Sequence, residues 1–225
     1  MVPIIGFGAG GHGRVLLETL LLRGEFEVIG FVDDNAALHA QQVDGIPVLG
    51  GKPILPELFE RGIRHVFLGI GGIGDNHPRA QIFTHLCSIG FQVVNVIHPT
   101  AVVSKRSAVG QGVAIMAGVV VNCGAEIGNN VIVNTGAVLD HDCRIGDHVH
   151  IAPGVVLSGG VRVGAYSHLG TGASVRQNVS IGSESIVGVG AAVVANVVDR
   201  CAVAGVPAKV LPAEMRETKF LSSKG

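Results

Sequence analysis

The chain has 225 residues, which allows one large domain or two small ones, and 48% of them are hydrophobic and available for a core. With 16 basic and 17 acidic residues the net charge is -1, which excludes a general electrostatic attraction to nucleic acid or to an anionic membrane. The 34 glycines, the single tyrosine and the lack of tryptophan indicate a repetitive structure of small and β-branched residues.

The first predicted elements form a β-α-β unit. A buried strand is predicted over residues 2–7, and a helix from about Arg14 to Arg23 is stopped by Gly24. A second strand over residues 28–32 ends at Asp33 and Asp34. The loop between the first strand and the helix matches G-x-G-x-x-G, and with the acidic pair it has the form of a dinucleotide fingerprint.

The glycine-rich loop suits any nucleotide diphosphate, because its backbone can approach phosphate oxygens and the helix N-terminus supplies amide donors. A dehydrogenase also needs a second mononucleotide half. Only a strand at 66–70, a helix near 78–89 and a strand at 92–96 remain before the chain becomes repetitive. We therefore predict a half-Rossmann βαβαβ domain with a parallel sheet over residues 1–95, and not an NAD enzyme. Gly71 and Gly72 follow the third strand at the ligand-binding edge, where a simple turn role is equally open.

From residue 97 to 198 the chain repeats every six residues. An aliphatic residue stands at every sixth position from Ile97 to Val193, and a small or β-branched residue follows four positions after each. A period of six fits neither a helix nor a simple strand, so each unit is predicted to be a short strand and a corner, with both positions facing inward. The repeat predicts a parallel β-helix over residues 96–225, and an irregular valine-rich sandwich would not keep this register.

One glycine column recurs every 18 residues, which predicts three six-residue sides per coil. Because glycine reaches backbone angles that other residues avoid, we expect this column to mark one tight corner of each coil. The column consists of Gly110, Gly128, Gly146, Gly164 and Gly182.

The array has a polar interruption at Asp140-His141-Asp142. His141 is predicted to face outward because Leu139 and Cys143 face inward. A neighbouring carboxylate can fix the imidazole tautomer and raise its basicity, as a general base requires. The inward position makes Cys143 a poor nucleophile. His150 and His168 are 18 residues apart in one column, and a structural role is favoured for His168.

Several motifs together resemble one known family. They are the Gly-Ala-Gly-Gly-His-Gly loop at 8–13, the Asp33-Asp34 pair, Asn134 ahead of Asp140-His141-Asp142, His150 in His-x-His-Ile-Ala-Pro-Gly, and Gly205-Val206-Pro207-Ala208-Lys209. Over nearly the whole chain this combination is similar to the sugar O-acyltransferase/N-acetyltransferase family of hexapeptide-repeat enzymes. The resemblance implies a left-handed β-helix that carries the acetyl-CoA and catalytic site, a C-terminal tail, and a homotrimer with sites between subunits.

The same resemblance implies an activity. It is acetyl-CoA-dependent N-acetylation of the C4 amine of a nucleotide-linked 4-amino-4,6-dideoxy sugar for surface polysaccharide synthesis. GDP-perosamine is the first expected substrate and a UDP-linked 4-amino sugar is the alternative. Gly10 stands where the UDP-sugar enzyme's loop has serine, which leaves the base open. No metal is expected.

The site residues that the resemblance implies fall into three groups. His141 is the catalytic base and Asp142 the carboxylate that orients it. The residues implied for acetyl-CoA are Asn134, His150, Gly159 and Lys209. Those implied for the nucleotide sugar are Gly8, Gly10, Gly11, His12, Gly13, Asp33, Asp34 and Gly71.

Two other chemistries stay open. An O-acetyltransferase acting on a sugar hydroxyl would use the same base. A zinc enzyme resembling γ-class carbonic anhydrases would need three histidines, and His141, His148, His150 and His168 are candidates. Their spacings of 7, 2 and 18 lack the five-residue pair which that resemblance requires.

The cysteines and the N-terminus suggest a reducing, cytoplasmic setting. The cysteines show no CxxC pairing, and no basic segment leads into an apolar stretch with a cleavage site. The uncharged run over residues 107–125 contains Gln111, Asn122 and spaced glycines, so no transmembrane helix is predicted.

Overall fold

The computed structural model describes residues 1–212 and divides into two compact units. Residues 1–71 and 79–99 form the first unit, and residues 72–78 with those from 100 onward form the second. This division differs from the predicted boundary after residue 95 in two places. The first unit continues to Pro99, and the short segment 72–78 belongs by its contacts to the second unit. The predicted tail after residue 212 lies outside the described residues.

The first unit is an α/β domain with a mainly parallel sheet. Its strands run in the order β3-β4-β2-β1-β5-β6, and only β3 is antiparallel to its neighbour. Residues such as Ile5, Val66 and Leu86 are fully buried in its core. The strands are β1 (Val2–Phe7), β2 (Phe26–Val32), β3 (Gln42–Val43), β4 (Ile46–Gly50), β5 (His65–Leu68) and β6 (Gln92–Val93). The helices are α1 (Gly11–Arg23), α2 (Leu55–Glu60) and α3 (His77–Ile89), with 3₁₀ turns at Ala36–Leu38 and Lys52–Ile54.

Helix α1 ends where the sequence predicted and begins three residues earlier. Gly24 has φ = 67° and its N–H bonds to the carbonyl of Leu20, which is a left-handed C-cap. At the other end, Gly11 and Gly13 already lie in the first helical turn. Gly13 has no room for a side chain, since a Cβ there would collide with the carbonyl oxygen of Gly8.

The sequence analysis missed the hairpin of β3 and β4. Its turn is Asp44-Gly45, with φ = 49° and 80°. An Asp-Gly pair between two apolar stretches is a strong hairpin signal, because both turn residues need positive φ. The signal was present in the sequence and was overlooked.

The second unit is a left-handed parallel β-helix. Each coil of 18 residues contributes one two-residue strand to each of three sheets, and equivalent strands in successive coils pair in parallel and in register. Among the described residues, no helix is long and apolar enough to cross a membrane. The strands are β7 (Val96–Ile97), β8 (Val102–Val103), β9 (Ala108–Val109), β10 (Ala114–Ile115), β11 (Val120–Val121), β12 (Glu126–Ile127), β13 (Ile132–Val133), β14 (Val138–Leu139), β15 (Arg144–Ile145), β16 (His150–Ile151), β17 (Val156–Leu157), β18 (Arg162–Val163), β19 (His168–Leu169), β20 (Ser174–Val175), β21 (Ser180–Ile181), β22 (Ile186–Val187), β23 (Ala192–Val193), β24 (Ala202–Ala204) and β25 (Lys209–Val210).

The predicted core of the β-helix is confirmed. Every sixth residue from Ile115 to Val193 is buried, and so is every residue four positions later from Val119 to Val197. Ser167 and Ser185 are the polar members of the second set. Each satisfies its hydroxyl with a backbone carbonyl, that of Gly182 at 2.7 Å and that of Val198 at 2.9 Å respectively.

The role predicted for the 18-residue glycine column was wrong. The members from Gly110 to Gly182 do not have positive φ. A Cβ on Gly110 would lie 2.7 Å from the carbonyl carbon of Gly128, and one on Gly146 would lie 2.7 Å from the nitrogen of Ala165. This column lacks side chains because successive coils touch there.

The corners are made by a different column. Every sixth residue from Gly112 to Gly190 has positive φ, which closes each side of the triangle. Most are glycine, but Asn130, Asp142, Tyr166 and others take the same left-handed angle. Side chains at these positions therefore occupy a conformation that their backbone disfavours.

Candidate functional site

His141 and Asp142 form a hydrogen-bonded pair at a corner of the β-helix. Nδ1 of His141 lies 2.8 Å from Oδ2 of Asp142. Because an ionised carboxylate only accepts hydrogen bonds, Nδ1 carries the proton and Nε2 presents its lone pair. The His141 side chain is 48% exposed, so Nε2 is accessible to a ligand. Asp142 is one of the left-handed corner residues, with φ = 60°.

Two glycines from neighbouring coils make room for this pair. A Cβ on Gly159, one coil after His141, would lie 2.5 Å from Cε1 of the imidazole. A Cβ on Gly124, one coil before Asp142, would collide with its carboxylate. Gly159, predicted to contact acetyl-CoA, thus lies directly against the predicted base. The amide N–H of Gly159 has no acceptor among residues 1–212.

The electrostatics favour the protonated form of His141. Its pKa is raised, chiefly by the hydrogen bond to Asp142, although desolvation opposes this; the charges of Asp140 and Asp142 add to the rise. Asp140 accepts the backbone N–H of His141 at 2.7 Å and the side-chain amide of Asn122 at 2.8 Å. These bonds, the one from Asn122 first, lower the pKa of Asp140 and keep its charge beside the imidazole.

Cys143 faces the interior, as predicted. It is fully buried, and its Sγ lies 3.4 Å from the carbonyl oxygen of Ser158. Burial is the main reason that the pKa of its thiol is raised to about 11. A neutral, enclosed thiol is inert as a nucleophile.

Asn134 and His150 form a second group. The Asn134 Oδ1 accepts the N–H of Thr135 at 2.8 Å, which leaves Nδ2 facing Nε2 of His150 at 3.3 Å. On its other side, Nδ1 of His150 lies 2.5 Å from the carbonyl oxygen of Gly72. A carbonyl can only accept, so His150 is protonated on Nδ1 and receives a hydrogen bond at Nε2.

His168 lies one coil above His150 and has a structural environment. The two rings meet edge to face with centroids 4.9 Å apart. Burial lowers the pKa of His168 to about 4, so it is neutral at physiological pH. Its Nδ1 has no partner within residues 1–212.

The two groups of the β-helix do not meet within one chain. Asn134 follows β13, in the sheet that contains β10 and β16, whereas His141 follows β14 in the next sheet. They therefore lie at successive corners, separated by one side of the triangle, which is on the order of 15 Å of extended chain. Lys209 lies apart from both, exposed on the antiparallel hairpin of β24 and β25.

In the first unit, the glycines of the loop serve two different purposes. Gly8 has φ = 97° and Gly13 packs on its carbonyl, so both are required by the fold. Gly10 and Gly11 have nothing within 4 Å of where a Cβ would stand, and both are exposed. The open space and the uncapped start of α1 at Gly10 leave the backbone of these two residues available to a phosphate.

The two acidic residues after β2 have partners in the chain. Asp33 accepts the N–H of Ala9 at 2.8 Å and the N–H of Asn35 at 2.8 Å, so it braces the glycine loop. Asp34 accepts the N–H of Lys52 at 2.8 Å and pairs with its Nζ at 3.1 Å. Partial burial would raise the pKa of Asp34, but the bonds to Lys52 prevail and lower it.

Gly71 and His12 complete this edge of the first unit. A Cβ on Gly71 would make ordinary contact with His12, 3.7 Å from its Cβ. The structure therefore gathers the glycine loop, Asp33 and Gly71 at the carboxyl edge of the parallel sheet, where open α/β sheets bind ligands.

Sequence reasoning missed Asn122, Gly124 and Asn76. The first two lie one coil before Asp140 and Asp142, so adding 18 to a residue number would have found them. Asn76 is described below. Within the described range, no group of three or more His, Cys, Asp or Glu side chains is arranged to hold a metal ion.

Two family models match the chain. The PglD N-terminal domain matches residues 3–86, and the bacterial transferase hexapeptide model, of six repeats, matches residues 124–159. The crystal structure of PerB from Caulobacter crescentus, in complex with CoA and GDP-perosamine, is 43% identical. It covers 94% of this chain and 98% of its own, with a TM-score of 0.88.

Two further proteins are similar. The acetyltransferase domain of PglB from Neisseria gonorrhoeae, solved in complex with acetyl coenzyme A, is 38% identical over 93% of this chain and 98% of its own, with a TM-score of 0.85. UDP-N-acetylbacillosamine N-acetyltransferase of Bacillus subtilis is 37% identical over 110 residues, so the match spans about half of that protein, 49% of its length and 49% of this chain. The chain therefore belongs to the family of hexapeptide-repeat sugar N-acetyltransferases that carry a PglD N-terminal domain.

Proposed function

We propose that this protein transfers the acetyl group of acetyl-CoA to the C4 amine of a nucleotide-linked 4-amino-4,6-dideoxy sugar, with GDP-perosamine as the first candidate, for surface polysaccharide synthesis. The observation that carries the proposal is the exposed His141 bonded through Nδ1 to Asp142 at 2.8 Å, on a coil of the hexapeptide β-helix. The overall likeness to PerB supports the choice of sugar.

The proton path follows from the imidazole tautomer. Nε2 of His141 accepts a proton from the sugar amine as its nitrogen attacks the thioester carbonyl. The C–S bond then breaks, and the imidazolium returns the proton to the CoA thiolate. Asp142 stabilises the imidazolium and holds the ring in place. No covalent enzyme intermediate is required.

The developing oxyanion needs a hydrogen-bond donor close to the base. His150 is poorly suited, because its Nδ1–H is engaged by the Gly72 carbonyl and its Nε2 faces a donor. The N–H of Gly159 has no acceptor in the described chain and lies against His141. We assign the oxyanion to this amide, and place Asn134, His150 and Lys209 along acetyl-CoA.

The nucleotide diphosphate is assigned to the first unit. The exposed backbone of Gly10 and Gly11 at the start of α1 supports a pyrophosphate site. Gly8 and Gly13 shape the loop, and Asp33 braces it through Ala9. His12, Asp34 and Gly71 are assigned to the same ligand.

The proposed active site requires more than one chain. Because His141 and Asn134 lie at successive corners, a neighbouring β-helix must bring its own corner to the first to complete the site. A homotrimer would place such corners together three times. An apolar stripe on the sheet between the two corners supports this assembly: its stacked valines Val102 and Val156 are 65% and 42% exposed.

A UDP-linked 4-amino sugar is the second candidate substrate. The 37% identity to a UDP-N-acetylbacillosamine N-acetyltransferase favours it, although that match spans half of the relative. The reaction and the base would be the same.

A thiol-release assay with acetyl-CoA tests the proposal. GDP-perosamine, a UDP-linked 4-amino-4,6-dideoxy sugar and a matched sugar with hydroxyls only are offered side by side, and products are weighed by mass spectrometry. We expect CoA release and a mass increase of one acetyl group with GDP-perosamine. Acetylation of the UDP sugar alone would replace the substrate, acetylation of the hydroxyl control would make it an O-acetyltransferase, and silence with all three would overturn the proposal.

A further inference from the structure

The segment 72–78 belongs to the β-helix by its contacts, although it lies far from it in the chain. Its anchor is Asn76, which is 1% exposed. The Asn76 amide nitrogen donates to the carbonyl of Ser167 at 3.0 Å and to that of Tyr166 at 3.3 Å. Gly72 must be a glycine, because a Cβ there would collide with Oδ1 of Asn76.

A second anchor lies at the end of the segment. The ring of His77 stacks on Tyr166, with centroids 4.6 Å apart and planes 11° from parallel. Nδ1 of His77 also lies 2.8 Å from Oδ1 of Asp75, which fixes the ring. Tyr166 has φ = 63°, an angle that disfavours a side chain and suits glycine. A tyrosine at such a corner is accounted for by the ring that it stacks against.

The two ends of the segment are joined by a buried arginine. The guanidinium of Arg79 donates to the carbonyl of Leu68 at 2.9 Å and to that of Ile70. Residues 70 and 79 are thereby held together, and the segment between them is a closed loop with both anchors on the β-helix.

The point of contact with the proposed site is the Gly72 carbonyl. It accepts the Nδ1–H of His150, and His150 in turn accepts from Asn134 through Nε2. The order of donors therefore runs from the Thr135 amide through Asn134 and His150 to Gly72. One hydrogen of the Asn134 amide is committed to His150, and the other is left for a ligand.

We propose that the segment 72–78 is a positioning element for acetyl-CoA: the Gly72 carbonyl holds His150 in its Nδ1-protonated form, and Asn76 and the Tyr166–His77 stack hold that carbonyl in place. This rests on the proposed function only in assigning Asn134 to acetyl-CoA. His150 acts through Asn134 and is a positioning residue. If the segment is released, His150 can turn its proton to Nε2, and the Asn134 amide loses its orientation.

The test compares two glycine substitutions in one corner column. Tyr166→Gly removes the stack and relieves the left-handed angle, so the fold is expected to stay intact. Glu184→Gly, one coil further at φ = 55°, relieves the same angle without touching the segment and is the matched control. Tyr166→Phe, which keeps the stack, is the conservative variant.

The first readout is the imidazole tautomer of His150, followed by ¹⁵N NMR of histidine-labelled protein without substrate. The second is the KM for acetyl-CoA against kcat. For Tyr166→Gly we expect the Nδ1–H pattern of His150 to give way to a mixture of tautomers, and KM to rise about 3- to 10-fold, the equivalent of one hydrogen bond. Tyr166→Phe and Glu184→Gly should keep the wild-type pattern, with KM within about twofold.

A folded Tyr166→Gly protein that keeps the His150 pattern and the wild-type KM would overturn the positioning role. If Tyr166→Gly does not fold, Asn76→Asp takes its place, since a carboxylate of the same shape cannot donate to the two carbonyls; the same two outcomes decide. The NMR readout needs no substrate, so inactivity of the wild-type protein would overturn the proposed function and leave this inference to the tautomer.

Discussion

The imidazole of His141 occupies the space where Gly159 would carry a side chain, since a Cβ on Gly159 would lie 2.5 Å from Cε1 of the ring. Gly159→Ala should therefore displace the base while leaving the coil folded. We expect kcat to fall by about 10- to 100-fold, as for a misplacement of about 1 Å, with little change in the melting temperature. The double variant with His141→Ala is the control: if Gly159 acts through the ring, the second substitution adds nothing. Equal effects in both backgrounds would contradict this.

Replacement of the base itself should separate chemistry from binding. His141→Asn should lower kcat by about 10² or more, because general-base catalysis contributes about 10² to 10⁴. The KM for the nucleotide sugar should stay close to the wild-type value, since the predicted glycine loop is untouched. Steady-state kinetics with both substrates measure the two effects, and an unchanged rate would remove His141 from the mechanism.

The raised pKa of His141 should be visible in the pH profile. A general base acts when deprotonated, so kcat/KM rises with pH through this pKa, which the hydrogen bond to Asp142 raises above its ordinary value. Asp142→Asn removes that carboxylate, and asparagine also tolerates the left-handed angle. We expect the acidic limb to move to lower pH and kcat to fall. Asp140→Asn, which bonds the backbone and not the ring, should move the limb less; a larger shift there would contradict the assignment.

His168 should make the fold sensitive to mild acid. Burial lowers its pKa to about 4, against about 6.5 in an unfolded chain, so the native state favours the neutral ring. Stability from this group is present above about pH 6.5 and is lost as pH falls toward 4. From pH 7 to pH 5 it should cost about 2 kcal/mol in the free energy of unfolding.

The matched variant is His168→Ile, since isoleucine already occupies the next coil of the column at Ile186. Urea unfolding at pH 7 and pH 5 should show a smaller acid loss in this variant than in the wild type. Equal losses would mean that another group is responsible.

The valine stripe should be the surface that joins subunits. Val156→Glu places a charge in its centre, and burial of an unpaired carboxylate is costly. Light scattering should then show the mass falling from that of a trimer toward that of one 23.1 kDa chain, with loss of activity. Ser174→Glu, one coil further on the same sheet, is the control because it is already polar and exposed. A wild-type protein that is monomeric and active would contradict both the trimer and the shared site.

The β-helix could be predicted because each of its six-residue units repeats the same burial pattern, so the inward positions from Ile115 to Val193 are visible in the sequence. What the period does not give is the backbone angle. Two glycine columns with the same spacing, one at Gly110 and one at Gly118, do different work, the first by close contact between coils and the second by positive φ. Only coordinates distinguish them.

The candidate site was predictable where its parts are neighbours in the chain. His141 and Asp142 are adjacent, and the inward positions of Leu139 and Cys143 fix their direction. Asn76 and Gly72 were beyond reach, because no local pattern connects them to residues 78 to 91 positions later. Their role depends on how a segment of the α/β half packs on the coil.

The unbroken register has a consequence for how such a chain can change its length. Removal of six residues would keep every inward side chain inward and would close each later corner with a left-handed residue, so the core would be nearly indifferent to it. The same deletion would rotate all later residues onto the next face of the prism, and would separate His141 from Gly159 if it fell between them. Only a change of 18 residues preserves both. Folding therefore constrains this chain modulo six, and chemistry constrains it modulo eighteen.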